Sequence, residues 1–180
     1  MTKSELIEEI RTAFKDVKLE DGVGLWEGQG LDDRADRQAL LELRKRDERN
    51  DWDNISYEDL VNCASSLSFF DAKGMRFCLP KFLILDVLEK ELHKEQGITL
   101  DCEMLYHLSC DPDEHLNAFS LFDKQQTQCV IHYLEYRAEK LFTQYKEYSI
   151  KYGSTEDSVY LDSRYTEISR ILNIWKQKIN

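Results

Sequence analysis

The 180-residue chain has no Cys-x-x-Cys pair, no Walker or dinucleotide glycine pattern, and no apolar run near the ~20 residues that span a bilayer. Without paired spacing, the five cysteines (Cys63, Cys78, Cys102, Cys110 and Cys129) read as reduced thiols, mostly small core residues, in a reducing compartment. Without a long apolar run no membrane span is expected. Acids within Met1–Ile10 stand where a signal peptide needs apolar residues, so a cytoplasmic protein is expected. No repeat or low-complexity stretch occurs. Lysine and arginine are missing between Asp101 and Asp123, where six acids fall.

Acids outnumber bases 35 to 24, a formal charge of −11. That field repels nucleic-acid phosphates and anionic lipid, and it speeds encounter with a basic protein. With 42% hydrophobic and 11% aromatic residues, the chain is globular and long enough to bury its own core.

Along the chain, Thr2 and Glu5 stand in capping-box spacing before an apolar stripe at Leu6, Ile10, Ala13 and Val17, which predicts a helix to about Lys18. Gly22, Gly24, Gly28 and Gly30 follow and read as a flexible loop, since a helix precedes them and no Lys-Ser or Lys-Thr follows. A charged surface helix is expected from Asp33 to about Arg49, and a short one after Ser56. Asp71–Gly74 reads as a tight turn and Met75–Leu79 as extended, because Pro80 suits the first position of a new helix. That helix is expected to run to about Lys94, to be the most buried, and to end at Gly97.

A short helix or strand fits Leu100–Leu108, and Asp111-Pro112-Asp113 reads as a turn. Asp123 and Gln126 open a long helix ending by Gly153. A last helix with Tyr165, Ile168, Leu172, Trp175 and Ile179 on one side either docks on the rest or dimerises as a short seam. The whole reads as an all-α, single-domain helical bundle over residues 1–180, with at most one short extended segment and residues 153–180 as a docked C-terminal helix.

Chemistry-bearing patterns are few. Cys102, His107, Cys110 and His115 supply two thiols and two imidazoles, a set zinc accepts, but the spacing matches no standard finger. A helical turn with a buried thiol and an exposed imidazole is expected there, with no metal and no cofactor. Ser65 and Ser66 lack a nucleophile elbow, and no thiol–histidine spacing stands out. Carboxylates at i,i+4, Asp32 with Asp36 and Asp47 with Asp51, lie among arginines and read as a solvated, salt-bridged face. If the acids of residues 20–36 adjoin those of residues 101–123, they form a negative surface edged by Trp26, Tyr106, Phe119 and Phe122.

Leu67-Ser-Phe-Phe-Asp-Ala-Lys-Gly-Met-Arg-Phe-Cys-Leu-Pro-Lys-Phe-Leu83 resembles the signature Leu-Ser-Phe-x-Asp-Ala-x-Gly-x-Arg-Phe-x-Leu-Pro of an uncharacterised bacterial domain-of-unknown-function family. Gly24-Leu-Trp-Glu-Gly-Gln-Gly-Leu-Asp-Asp33, Arg46-Asp-Glu-Arg-Asn-Asp-Trp52 and Phe119-Ser-Leu-Phe-Asp-Lys-Gln-Gln126 also fit it. The resemblance covers about residues 5–137 and leaves the tail from Leu141 as particular to this protein. Cys78 and Trp26 depart from its pattern. It implies a compact helical domain and no established activity.

Two functions follow as expectations. The first is a small acidic interaction or inhibitor protein, of the immunity or antitoxin kind, that covers a basic partner with Asp71, Arg76, Trp26, Asp32, Asp33, Asp111, Asp113 and Glu114. The second is a small-ligand domain or enzyme with a pocket near Asp71, Arg76 and Cys102–His115. Asp71 and Arg76 are expected to pair or to cap neighbouring backbone, and the chain to be a monomer or dimer.

Overall fold

The computed structural model describes residues 1–97, 104–109, 118–152 and 163–179. Among them are eight α-helices, two 3-10 turns and no strand, so the fold is all-α. Thr2 and Glu5 close their capping box and start α1 (Lys3–Ala13), which buries Leu6, Ile10 and Ala13. It stops a turn earlier than its stripe suggests: Asp16 takes a positive φ of 60°, and the chain swings round to bury Val17 and Leu19.

The glycine segment is a helix, α2 (Leu25–Asp32), not a loop. Its glycines serve close approach. A Cβ on Gly28 would stand 2.9 Å from the Ser66 Cβ, and one on Gly30 would stand 2.4 Å from a Leu43 methyl. Small residues on two faces let α2 sit tightly against the 3-10 turn Ala64–Ser68 and against α3 (Arg37–Arg46). The α3 helix is shorter than the charge pattern predicts, because Arg34 has φ 55° and Asp36 then caps the new helix by accepting from Ala39 N at 2.9 Å. It buries no residue, as its thin apolar stripe predicts.

Trp52–Asn54 forms a 3-10 turn, and Ser56 caps α4 (Tyr57–Asn62). The predicted turn and extended segment over residues 71–79 are instead the start of α5 (Ala72–Gln96). Asp71 caps it by accepting from Gly74 N at 2.7 Å. Pro80 lies inside the helix and leaves the Arg76 carbonyl without its i+4 donor, a cost of ~3 kcal/mol. Burial offsets it. Phe77, Leu79, Phe82, Leu83, Ile84 and Leu85 are wholly buried, each worth about 1.5–3 kcal/mol. The helix ends, as predicted, at Gly97 in the left-handed region with φ 71°.

The short α6 (Met104–Leu108) settles the Leu100–Leu108 ambiguity towards helix within its bounds. Asp123 and Gln126 exchange bonds of 2.8 and 3.2 Å at the start of α7 (Lys124–Tyr152). Gln126 also donates to the Ala13 carbonyl at 3.2 Å, tying α7 to the end of α1. Along α7 lies α8 (Ser163–Gln177), with Ile168, Ile171 and Trp175 buried. Trp175 donates from Nε1 to the Leu108 carbonyl at 2.9 Å and packs edge-on against Phe119. Phe119 is therefore a core aromatic, and Phe122 is a half-buried one packed against it, Phe14 and Trp175.

The seating of Val23, two residues before α2, on the first turn of α5 is testable at Gly74, where an added Cβ would come within 2.1 Å of the Val23 carbonyl oxygen, a backbone atom that cannot swing aside. Gly74→Ala is expected to lower the unfolding free energy by about 1–3 kcal/mol in urea titration, more than Gly97→Ala, which meets open space and costs about 1 kcal/mol. Equal stability of Gly74→Ala and the parent chain contradicts the close contact.

Candidate functional site

The N-cap of α2 is Gly24, which has no side chain to satisfy the first helical amides. A carboxylate from another segment does so. Asp47 follows the last residue of α3 in extended conformation, and its Oδ1 accepts from Trp26 N at 2.7 Å. Gly24 must be glycine here, since a Cβ would overlap the Asp47 carboxyl at 2.2 Å. Asp71 acts in parallel: the Oδ1 that caps α5 also accepts from Val23 N at 3.1 Å. Two carboxylates thus hold the entry of α2 between the end of α3 and the start of α5.

The segment 44–52 supplies the rest of the junction. Arg44 pairs with Glu27 at 2.5 Å and donates to the Asp21 carbonyl at 2.7 Å. Arg46 lies 3.5 Å over the Trp26 ring. Glu48 Oε1 accepts from the amides of Arg49, Asn50 and Asp51, and the Asn50 amide leads in holding its carboxyl below the usual range. Arg49 donates to the Glu20 carbonyl, and its own carbonyl takes the Leu19 amide. Trp52 donates to the Phe14 carbonyl at 2.8 Å. Lys73 bridges Glu20 and Asp21 at 2.6 and 2.5 Å.

Asp47 is the residue that the charge pattern misreads. It belongs to no solvated i,i+4 face, because α3 ends at Arg46 and the carboxyl turns inward, 8% exposed. Its Oδ2 is buried with no hydrogen-bond partner, as are Ser66 Oγ, Arg49 Nη1 and Arg76 Nε. Burial pushes the Asp47 carboxyl up to about 6, against the pull of the Trp26 and Glu27 amides. Burial likewise pushes the Cys63 thiol up to about 12, and the buried thiols of Cys78 and Cys129 also rise. Such thiols are poor nucleophiles at neutral pH.

The residues singled out from sequence fall in different places. Trp26, Asp71 and Arg76 belong to elements meeting at this junction, where Asp71 caps and Arg76 does not pair with it. Asp32 and Asp33 stand exposed at the far end of α2. Asp111, Asp113 and Glu114 lie outside the described residues, as do Cys102, Cys110 and His115. The remaining member of that array, His107, is buried in α6, against the exposed imidazole expected. No group of three or more metal-ligating side chains occurs among the described residues. Nor do the cavities found along α5, α7 and α8 touch Asp71 or Arg76. No helix among the described residues is long and apolar enough to cross a membrane.

The buried carboxyl has a definite pH signature. A carboxyl whose folded pKa exceeds its unfolded value binds its proton more tightly when folded. Its contribution to stability is therefore greatest at low pH and declines as pH rises from 3.8 to about 6. Asp47→Asn removes that decline and keeps an acceptor for Trp26 N. Between about pH 4 and pH 7 the stability of the variant relative to the parent is expected to rise, by up to roughly 3 kcal/mol, in urea titrations repeated across pH. A difference independent of pH refutes the buried, raised carboxyl.

No curated protein and no solved structure matches the chain. A family model matches residues 2–158, so the likeness reaches beyond residue 137 and takes in the stretch from Leu141 to residue 158 that the sequence reading set apart. On that match, which spans the whole junction of α2, α3 and α5, the chain belongs to DUF6714, a family of unknown function.

Proposed function

We propose that the protein is an interaction module that docks a basic protein partner on the corner formed by α2 and α3, and inhibits it by occlusion in the manner of an immunity protein or antitoxin. The observation that carries this reading is α3 itself. It is a ten-residue helix with no buried residue, yet it is held firmly at both ends. Asp36 caps its start, while Arg44 and Arg46 fix its end to Glu27 and Trp26. A helix that adds little to the core but is immobilised on the surface is suited to presenting residues to something else.

What the corner presents agrees with a basic partner. Asp32, Asp33 and Asp36 are exposed side by side, and Leu41 is 48% exposed on α3. The Trp26 ring, stacked under Arg46, gives a flat aromatic anchor of the kind that dominates interface energetics. The formal charge of −11 draws a cationic surface to the chain as a whole and makes association fast and salt-sensitive. Residues 25–46 balance five acids with five bases, and Asp32, Asp33 and Asp36 are the carboxylates this corner offers. Nucleic acid and anionic membranes are repelled by the same field.

The test is capture from native lysate by the full chain and by an Asp32→Lys/Asp33→Lys variant, both at low and at high salt. A basic protein retained stoichiometrically by the parent at low salt, released at high salt and missed by the variant supports the reading. Charge reversal is expected to weaken that complex by about tenfold or more, mainly through slower association. Retention of the same partner by the variant, or no salt-sensitive partner for the parent, rejects the α2–α3 corner as the docking face.

A further inference from the structure

Apart from that corner, α5, α7 and α8 enclose a cavity of about 310 Å3. Its floor is apolar, with Val87, Tyr136, Leu141 and Ile168 each no more than 8% exposed. Its walls carry five cations: Lys3, Lys90, Arg137, Lys140 and Arg164. Among the described lining residues three acids face them, Asp86, Glu89 and Glu91, so the cations of this described lining outnumber its acids inside a chain of formal charge −11.

Two of the acids are already engaged. Asp86 Oδ2 accepts from the Tyr133 hydroxyl at 2.6 Å and from Arg137 Nη1 at 2.8 Å. Glu91 pairs with Lys3. The Asp86 bond holds the Arg137 guanidinium in the wall, a planar donor group whose fork suits an oxyanion. Lys140 Nζ stands 5.4 Å over the Tyr136 ring, which places a cation directly beside the aromatic floor. The volume lies at the small end of ligand pockets, too little for a macromolecular segment.

We infer that this cavity binds a small organic anion, an oxyanion carried on an aromatic or aliphatic body, with the oxyanion among Lys90, Arg137 and Lys140 and the body on Tyr136. The acidic exterior repels anions in general, so binding is confined to the place where cations gather over an apolar floor. The phosphate or carboxylate fixes orientation, and the buried ring and aliphatic side chains supply contact area.

The experiment is an amide-resonance titration of the isotope-labelled full chain with phenyl phosphate, and in parallel with phenol and with benzylamine. Saturable shifts confined to residues 86–91, 136–141 and 164–168 are expected with phenyl phosphate alone. Lys90→Ala/Lys140→Ala removes two exposed charges, leaves the remaining spectrum in place, and is expected to weaken binding about tenfold, while Lys140→Arg alone retains it. The inference is overturned by any of three results: no saturation up to about 10 mM, equal shifts from phenol or benzylamine, or unchanged affinity in the double variant.

Discussion

A helix that begins at a glycine has backbone amides to satisfy and no side chain of its own to do it. The α2 helix is in that position, and the rest of the amino-terminal half is arranged round the solution. Asp47, from beyond α3, takes the Trp26 amide, and Asp71, at the cap of α5, takes the Val23 amide. The Asp47 carboxyl leaves residue 24 no room for a Cβ, and the Val23 carbonyl oxygen, brought close by the Asp71 bond, leaves none at residue 74. Because α2 is then pressed against Ala64–Ser68, residue 28 has none either. Capping and close packing are one constraint here. A change at any of these glycines displaces a carboxylate or the carbonyl beside it, and so loosens the seat on which α3 rests.

The second theme is how an acidic chain distributes its charge. The buried cation Lys81, 7% exposed, meets the Asp53 carboxylate at 2.8 Å beside the Tyr57 ring, and the half-buried Arg137 meets Asp86. Asp53 is shared further with Arg11 at 3.1 Å, linking α1 to α5 across the Trp52–Asn54 turn. Asp47 is the exception, a buried carboxylate satisfied at one oxygen by neutral amides and at the other by nothing. Its ionised form is costly at neutral pH, and α2 is held at that cost. Outside, Asp32, Asp33 and Asp36 stand towards solvent beside Arg34 and Arg37, while a second group of cations lines the cavity between α5, α7 and α8.

Local signals made much of this fold legible. Thr2 with Glu5, Ser56, Asp123 with Gln126, and Gly97 mark helix ends through contacts within one turn, and each stands where the sequence indicates. The burial of α5 was equally plain from Phe82 to Leu92. What the sequence hid depends on partners far along the chain. Gly24 and Gly28 read as loop residues because their purpose, contact with Asp47 and Ser66, is invisible locally. Pro80 suggested a helix start, yet wholly buried neighbours carry the helix through it. At the junction, Asp71 was recognised as a polar residue able to cap backbone. Asp47 is hidden in the sequence by the arginines around it, because its partners, the Trp26 amide and the space left by Gly24, lie more than twenty residues away. The cavity cations come from four separate helices and leave no linear trace.

The central claim is that Asp47 and Asp71 hold the start of α2, and native-state hydrogen exchange at the Trp26 and Val23 amides tests it most directly. Both amides are bonded to carboxylates from other segments, so both are predicted to exchange only through opening of the junction, with protection close to that of the α5 core and lost together in Asp47→Ala. Exchange of either amide at the rate of an exposed loop in the parent chain contradicts the account.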